Sequence, residues 1–120
     1  MTKEESRKAA LIAYDALEEK KSLDIQVIEI GGISTLADYF VIGSGTNPNQ
    51  MQALTDNVEE KLAKAGYTAG HVEGFQRAGW ILLDYGDVVI HIFDQESRSF
   101  YNLERIWKDG SVIKVSKDEK

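Results

Sequence analysis

Residues 80–94 read WILLDYGDVVIHIFD, an apolar run interrupted by three aspartates and by one of the chain's two histidines. Gly86-Asp87 suits a two-residue β-turn with glycine at its first central position. Such a turn fixes the register of the hairpin that it joins. One face of this hairpin then carries the pairs Tyr85–Val88, Leu83–Ile90 and Ile81–Ile92. We therefore predict a hairpin that turns this apolar face toward the protein core.

The opposite face of the hairpin is mixed in character. It carries the pairs Trp80–Phe93, Leu82–His91 and Asp84–Val89. Aromatic anchors beside a few directional polar groups are typical of the centre of a protein–protein interface. A helix could equally cover this face, with His91 as a core histidine whose hydrogen bonds are satisfied. The residues alone leave both interpretations open.

Length and charge narrow the class of protein. The chain has 120 residues and a formal net charge of −6, with an isoelectric point near 4.9. This charge argues against direct binding to nucleic-acid phosphates and favours a basic partner. The absence of cysteine excludes disulfides and thiolate chemistry. No apolar run is long enough to span a membrane and no targeting segment is present, so we expect a cytoplasmic protein.

Capping signals and periodicity predict the remaining elements. We expect helices at residues 3–20 and 48–65, started by the Thr2/Glu5 capping box and by Asn47-Pro48. Three further strands are predicted: at residues 24–30, from residue 38, and around residues 68–73. The second of them has an unbroken apolar core, which indicates burial on both faces of the sheet. A last helix capped by Asp94 should end before Gly110. Its apolar stripe is formed by Phe100, Leu103 and Trp107.

This order, α-β-β-α-β-β-β-α, indicates an α/β (α+β) protein with a mixed sheet of about five strands packed with helices. The second and third strands, joined by a helical crossover, should run parallel, whereas the hairpin adds antiparallel pairing. We expect one domain over residues 1–110. Residues 111–120 are predicted to form a C-terminal tail that is partly disordered.

No group of residues forms a convincing catalytic or metal site. His71 and His91 lie twenty residues apart, and the sequence places no nucleophile beside His91. The segment GSGTNPNQ, residues 43–50, follows a buried strand and leads into a helix, but it lacks the Gly-Lys-Ser/Thr of a phosphate-binding loop. No Asp-x-Asp metal pair follows it. We predict a protein without catalytic residues, cofactor or metal.

Five blocks of the sequence resemble the ribosomal silencing factor family, also called Iojap-like. They are ADYFVIGSGTN (residues 37–47), QALTDNVEEKL (52–62), EG (73–74), WILLDYGDVVIHIF (80–93) and ESRSFYNLERIW (96–107). The last two blocks, in this order and spacing, are highly specific. The resemblance as a whole covers about residues 3–107.

The resemblance implies a fold related to nucleotidyltransferases without their catalytic acids. It also implies binding to the large ribosomal subunit through its fourteenth protein, which prevents the small subunit from joining and represses translation under nutrient limitation. The partner-binding residues expected on this basis are Trp80, Leu82, Asp84, Tyr85, His91 and Phe93. Arg98, Tyr101, Glu104 and Trp107 also match the family, but packing and ion pairing within the last helix account for them equally well.

Two other hypotheses remain open at the level of sequence. The turn at Gly43–Asn47 could serve a nucleotidyltransferase-like enzyme or nucleotide-binding protein. Alternatively, the mixed hairpin face could pair two copies of the free chain as a homodimer. Neither hypothesis involves a membrane or sequence-specific binding of nucleic acid.

Overall fold

The computed structural model describes residues 1–32, 35–75, 79–102 and 111–113. In these residues three helices pack against a sheet of six strands. The helices are α1 (Lys3–Glu19), α2 (Pro48–Lys64) and α3 (Gln95–Tyr101). The strands are β1 (Leu23–Glu29), β2 (Tyr39–Gly45), β3 (His71–Phe75), β4 (Trp80–Asp84), β5 (Val88–Asp94) and β6 (Ser111–Ile113). The predicted α/β (α+β) class with a mixed sheet is confirmed.

The predicted helix starts are confirmed by their hydrogen bonds. The Thr2 hydroxyl accepts from the Glu5 amide at 3.1 Å, and the Glu5 carboxylate accepts from the Thr2 amide. The Asn47 side chain accepts from the Gln50 amide at 2.8 Å, with Pro48 at the first helical position. These side chains bind amides that have no partner inside the helix, so the short local patterns were sufficient to locate both starts.

The strand order is β3-β4-β5-β2-β1-β6. β2 and β5 pair in parallel, and all the other pairs are antiparallel. As predicted, β3 runs in the same direction as β2, but β4 and β5 lie between them, so the helical crossover carries the chain to the edge of the sheet. The central places go to β2 and β5, which are the strands with the most buried residues, whereas the more polar β3 lies at the edge.

The hairpin has the predicted register. Trp80 lies opposite Phe93, Leu82 opposite His91 and Asp84 opposite Val89. The Tyr85 amide donates to the Val88 carbonyl at 2.9 Å. The turn is closed by Gly86, whose φ of +85° is readily adopted only by glycine. The turn therefore decides which side chains of β4 and β5 share a face.

Two apolar clusters lie on opposite faces of the sheet. α1 and α2 both cover the first face, which we call the helix face; its β4 and β5 members are Ile81, Leu83, Val88, Ile90 and Ile92. We call the second the aromatic face; its apolar cluster consists of Ile28, Ile30, Ala37, Phe40, Ile42, Phe93 and the partly buried Trp80 and Val89. No residue of α1 or α2 belongs to this second cluster as described. The layer formed by α1 and α2 thus lies on one side of the described sheet.

The C-terminal part differs from the prediction in two respects. α3 ends at Tyr101 rather than near Gly110, because Asn102 adopts a left-handed conformation (φ 47°, ψ 56°) that ends the helix. Leu103 and Trp107 of the predicted stripe lie outside the described residues. Ser111–Ile113, assigned to the tail, form β6 and pair with Val27, Ile28 and Glu29 of β1. The domain boundary at residue 110 stays a prediction.

Candidate partner-binding surface

Three strands contribute rings to a cluster on the aromatic face. The Trp80 ring stacks on Phe93, its cross-strand partner, with ring centroids 5.3 Å apart and planes inclined by 25°. His91 lies diagonally across from Trp80, with centroids 5.8 Å apart. Phe40 of β2 meets His91 edge-on at 4.7 Å. The indole of Trp80 is half-buried and forms the outer member of this cluster.

A side-chain hydrogen bond joins two members of the cluster. The indole Nε1–H of Trp80 donates to Nδ1 of His91 over 3.1 Å. His91 is buried, and desolvation lowers its pKa from 6.5 to about 4. The ring is therefore neutral at physiological pH, and because Nδ1 accepts, the ring proton resides on Nε2. Within the described chain Nε2 has no hydrogen-bond partner.

Acidic groups border the apolar part of the aromatic face. Asp84 and Glu73 are half-buried residues on the same face, because Glu73 of the edge strand β3 pairs with Leu82 and His71 pairs with Asp84. One oxygen of Asp84 accepts from the Gly86 amide at 2.8 Å. Nε2 of His71 lies 2.6 Å from the Glu73 carboxylate. An indole and a leucine beside two carboxylates can receive apolar and basic groups of a partner.

A cavity of about 380 Å³ opens next to Trp80. It connects the hairpin with the turn that precedes α2 and with the end of β5. Its lining residues include Thr46, Asn47, Gln52, Ile81 and Asp94. The segment after β2 therefore lies beside the candidate surface, which the sequence alone did not indicate.

The six predicted contact residues separate into two groups. Trp80, Leu82 and Asp84 are half-buried on the aromatic face and retain accessible surface. The other three are almost fully buried: Phe93 is 0% exposed, His91 4% and Tyr85 7%. Tyr85 points to the helix face, where burial and the Glu59 carboxylate of α2 raise the pKa of its phenol. Direct contact stays a prediction for all six residues, and these three offer a partner little accessible surface in the free chain.

Two residues near the surface were not identified as site residues from sequence. Phe40 supports His91, and its only signal was a place in the unbroken apolar run of β2. Arg98 of α3 is buried and donates from Nη1 to the Ser44 hydroxyl at 2.8 Å and to the Leu23 carbonyl at 3.2 Å. This contact supports the packing interpretation of Arg98. The Tyr101 side chain, Glu104 and Trp107 lie outside the described residues.

The turn at Gly43–Asn47 is occupied by internal contacts. A side chain on Gly43 would collide with the Ser22 hydroxyl, and one on Gly45 would lie 2.9 Å from Cγ of Met51. The Thr46 amide donates to the Gln50 side chain at 2.7 Å, while Asn47 caps α2. Close packing explains these glycines, and the amides of Thr46 and Gln50, which a phosphate at the start of α2 could otherwise bind, already donate to side chains.

The described residues contain no group of three or more His, Cys, Asp or Glu side chains placed to hold a metal ion. A search of the same residues for a helix long and apolar enough to span a membrane found none. The fold and the candidate site together define an α/β protein with two long helices on one face of its sheet and an aromatic candidate surface on the other.

The chain belongs to the family described as "Ribosomal silencing factor during starvation", which it matches over residues 3–120. It is 41% identical over 101 residues to a ribosomal silencing factor of Bacillus subtilis, covering 84% of this chain and 86% of the relative. The corresponding protein of Zymomonas mobilis is 42% identical over 99 residues, covering 82% of this chain and 74% of that protein. A mouse protein named for mitochondrial assembly of the large ribosomal subunit is 32% identical over 96 residues, which cover 76% of this chain and 41% of the mouse protein.

Solved structures share the fold. A crystal structure of a Bacillus halodurans protein has a TM-score of 0.78 at 30% identity and covers 91% of this chain and 99% of its own. A crystal structure of a Chromobacterium violaceum protein has a TM-score of 0.81 at 31% identity, covering 92% and 90%. The family resemblance stated from the sequence is confirmed.

Proposed function

We propose that this protein binds the large ribosomal subunit through the subunit's fourteenth ribosomal protein and sterically prevents the small subunit from joining. Translation would thereby be repressed in the cytoplasm when nutrients are limiting. Membership of a family described by ribosomal silencing during starvation supports the physiological setting. The mouse relative's name refers to the same subunit. The mode of action is occupation of a surface, without a chemical step.

The observation that carries this proposal is the half-buried Trp80 on the aromatic face, next to Leu82 and bordered by the carboxylates of Asp84 and Glu73. Tryptophan is enriched among the residues that dominate binding energy, and nearby carboxylates select a basic partner. The net charge of −6 adds a long-range attraction of the same sign. We assign direct contact to Trp80, Leu82 and Asp84, and a supporting role to Tyr85, His91 and Phe93.

The test is binding of the Trp80→Ala variant to isolated large ribosomal subunits, measured by co-sedimentation. We expect the affinity to fall about 30-fold, which corresponds to about 2 kcal/mol, because a central interface aromatic is removed. Val72→Ala is a matched control, since Val72 is an apolar β-strand residue with 46% exposure outside this surface. Wild-type affinity of a folded Trp80→Ala variant would remove the hairpin from the proposal.

A second measurement tests the consequence of binding. Small subunits are added to large subunits that have been preincubated with the protein, and joined ribosomes are separated on a sucrose gradient. We expect the wild type and Val72→Ala to reduce joining and Trp80→Ala to have little effect at the same concentration. Normal joining in the presence of bound wild-type protein would refute the steric block.

A further inference from the structure

We propose that His91 is a positioning residue, which holds the indole of Trp80 in its partner-binding orientation without contacting the partner itself. This inference rests on the proposed function of Trp80. It starts from the hydrogen bond between the indole Nε1–H and Nδ1 of His91, which is 3.1 Å long.

Packing alone does not explain a histidine at this place. Its ring lies among Phe40, Trp80 and Phe93 and is only 4% exposed. An apolar side chain would fill the same space without burying polar atoms. Nε2 has no hydrogen-bond partner among the described residues, which is an additional cost of keeping histidine there. The polar function that the ring does fulfil in these residues is acceptance from Trp80.

Trp80 needs such an acceptor because its position is only partly confined. Its indole is half-buried, and stacking on Phe93 fixes the ring plane more strongly than the direction of the N–H. The hydrogen bond supplies that direction, since an indole can donate but cannot accept. A side chain that already has its bound orientation loses less conformational entropy when the partner arrives. The buried neighbour thus contributes to affinity from beneath the surface.

Two substitutions separate positioning from packing. His91→Asn places an acceptor oxygen near the position of Nδ1, whereas His91→Leu fills the site but removes the acceptor. We expect His91→Leu to weaken binding to large subunits about tenfold, and His91→Asn to restore most of this loss although it packs less well. Unfolding by urea, followed by circular dichroism, gives the folded fraction to which affinities are normalised. Equal losses in both variants, or wild-type affinity of His91→Leu, would overturn the proposal.

A spectroscopic readout tests the hydrogen bond without the ribosome. In a ¹H–¹⁵N spectrum the indole N–H signal of Trp80 is identified by its disappearance in Trp80→Phe. We expect a downfield, slowly exchanging signal in the wild type and in His91→Asn, and an upfield shift with faster exchange in His91→Leu. An unchanged signal in His91→Leu would show that His91 does not hold the indole.

The two proposals fail in different ways. Wild-type affinity of Trp80→Ala would refute the binding role of the hairpin, while the indole signal would still report on the contact with His91. If Trp80→Ala weakens binding, His91→Leu should have no further effect in a Trp80→Phe background, because phenylalanine has no N–H to position. An additional tenfold loss in that background would show that His91 acts by another route.

Discussion

The two faces of the sheet bury their residues in different ways. On the helix face, α1 and α2 cover aliphatic side chains such as Leu83 and Ile90, which are completely buried. On the aromatic face, rings from β2, β4 and β5 pack against one another, and Trp80 and Leu82 are only partly buried. Leu82 and Leu83 are consecutive residues with different environments. The alternation along β4 therefore separates residues that maintain the fold from residues available for recognition.

This division has a consequence for polar groups. The helix face of the hairpin excludes them, apart from the hydroxyl of Tyr85. The aromatic face contains His91 in its interior and Asp84 at its border. Hydrogen-bonding groups are costly in a core, because burying one without a partner is unfavourable. In an interface they are useful, because a hydrogen bond to the partner confers specificity. The composition of the second face is thus the physical basis for assigning recognition to it.

The largest expected effect is a difference in stability between alanine variants of the neighbouring residues Leu82 and Leu83. Leu83→Ala should lower the free energy of unfolding by about 4 kcal/mol, because it leaves a cavity under the helices. Leu82→Ala should cost less than about 1.5 kcal/mol, since its side chain is already partly hydrated, yet it should weaken binding to large subunits. Urea unfolding and co-sedimentation measure the two quantities. A larger loss of stability for Leu82→Ala would reverse the assignment of the faces.

A smaller effect is expected from the pH dependence of stability. Because burial lowers the pKa of His91 from 6.5 to about 4, the unfolded chain binds more protons than the folded chain between these values. The contribution of neutral His91 to the free energy of unfolding is fully present above pH 6.5, decreases as the pH falls, and is lost below about pH 4. The size of the pKa shift limits this loss of stability to about 3 kcal/mol.

The measurement is the urea midpoint of the wild type and of His91→Leu between pH 7 and pH 4. The other charged side chains near this face are Asp84, Glu73 and His71 on β3 and β4, and Arg98 beside Ser44. They are present in both proteins, so the difference between the curves isolates His91. Parallel curves would mean that His91 is protonated in the folded chain as readily as in the unfolded one.

The smallest effect concerns the border of the aromatic face. Asp84→Asn keeps an oxygen that can accept from the Gly86 amide, so the free energy of unfolding should change by less than about 0.5 kcal/mol. Loss of the charge should weaken binding about fivefold at low salt and reduce its salt dependence. Asp84→Ala is the companion variant, which additionally loses the turn contact. An affinity of Asp84→Asn equal to that of the wild type at every salt concentration would exclude an electrostatic role for Asp84.

Much of the candidate surface could be predicted from sequence. The glycine turn gave the cross-strand pairs, and these pairs correctly placed Trp80, Leu82 and Asp84 on one face. Exposure could not be predicted in the same way. Phe93 and His91 share that face but are buried by neighbours, among them Phe40, which lies on another strand and 51 positions before His91. The alternation of side chains along a strand decides which face of the sheet a residue lies on. Whether that residue is buried depends on segments that are distant in the chain.

The sequence by itself determined the helix starts, the hairpin register, the acidic character and the family. Each of these depends on residues a few positions apart or on composition, so local geometry and charge are sufficient. Only the tertiary structure decided that β2 pairs with β5 and that Ser111–Ile113 form an edge strand beside β1. It also decided that the buried His91 accepts a hydrogen bond from Trp80. These contacts join distant segments, and the free energy that selects among such pairings comes from burying whole faces together.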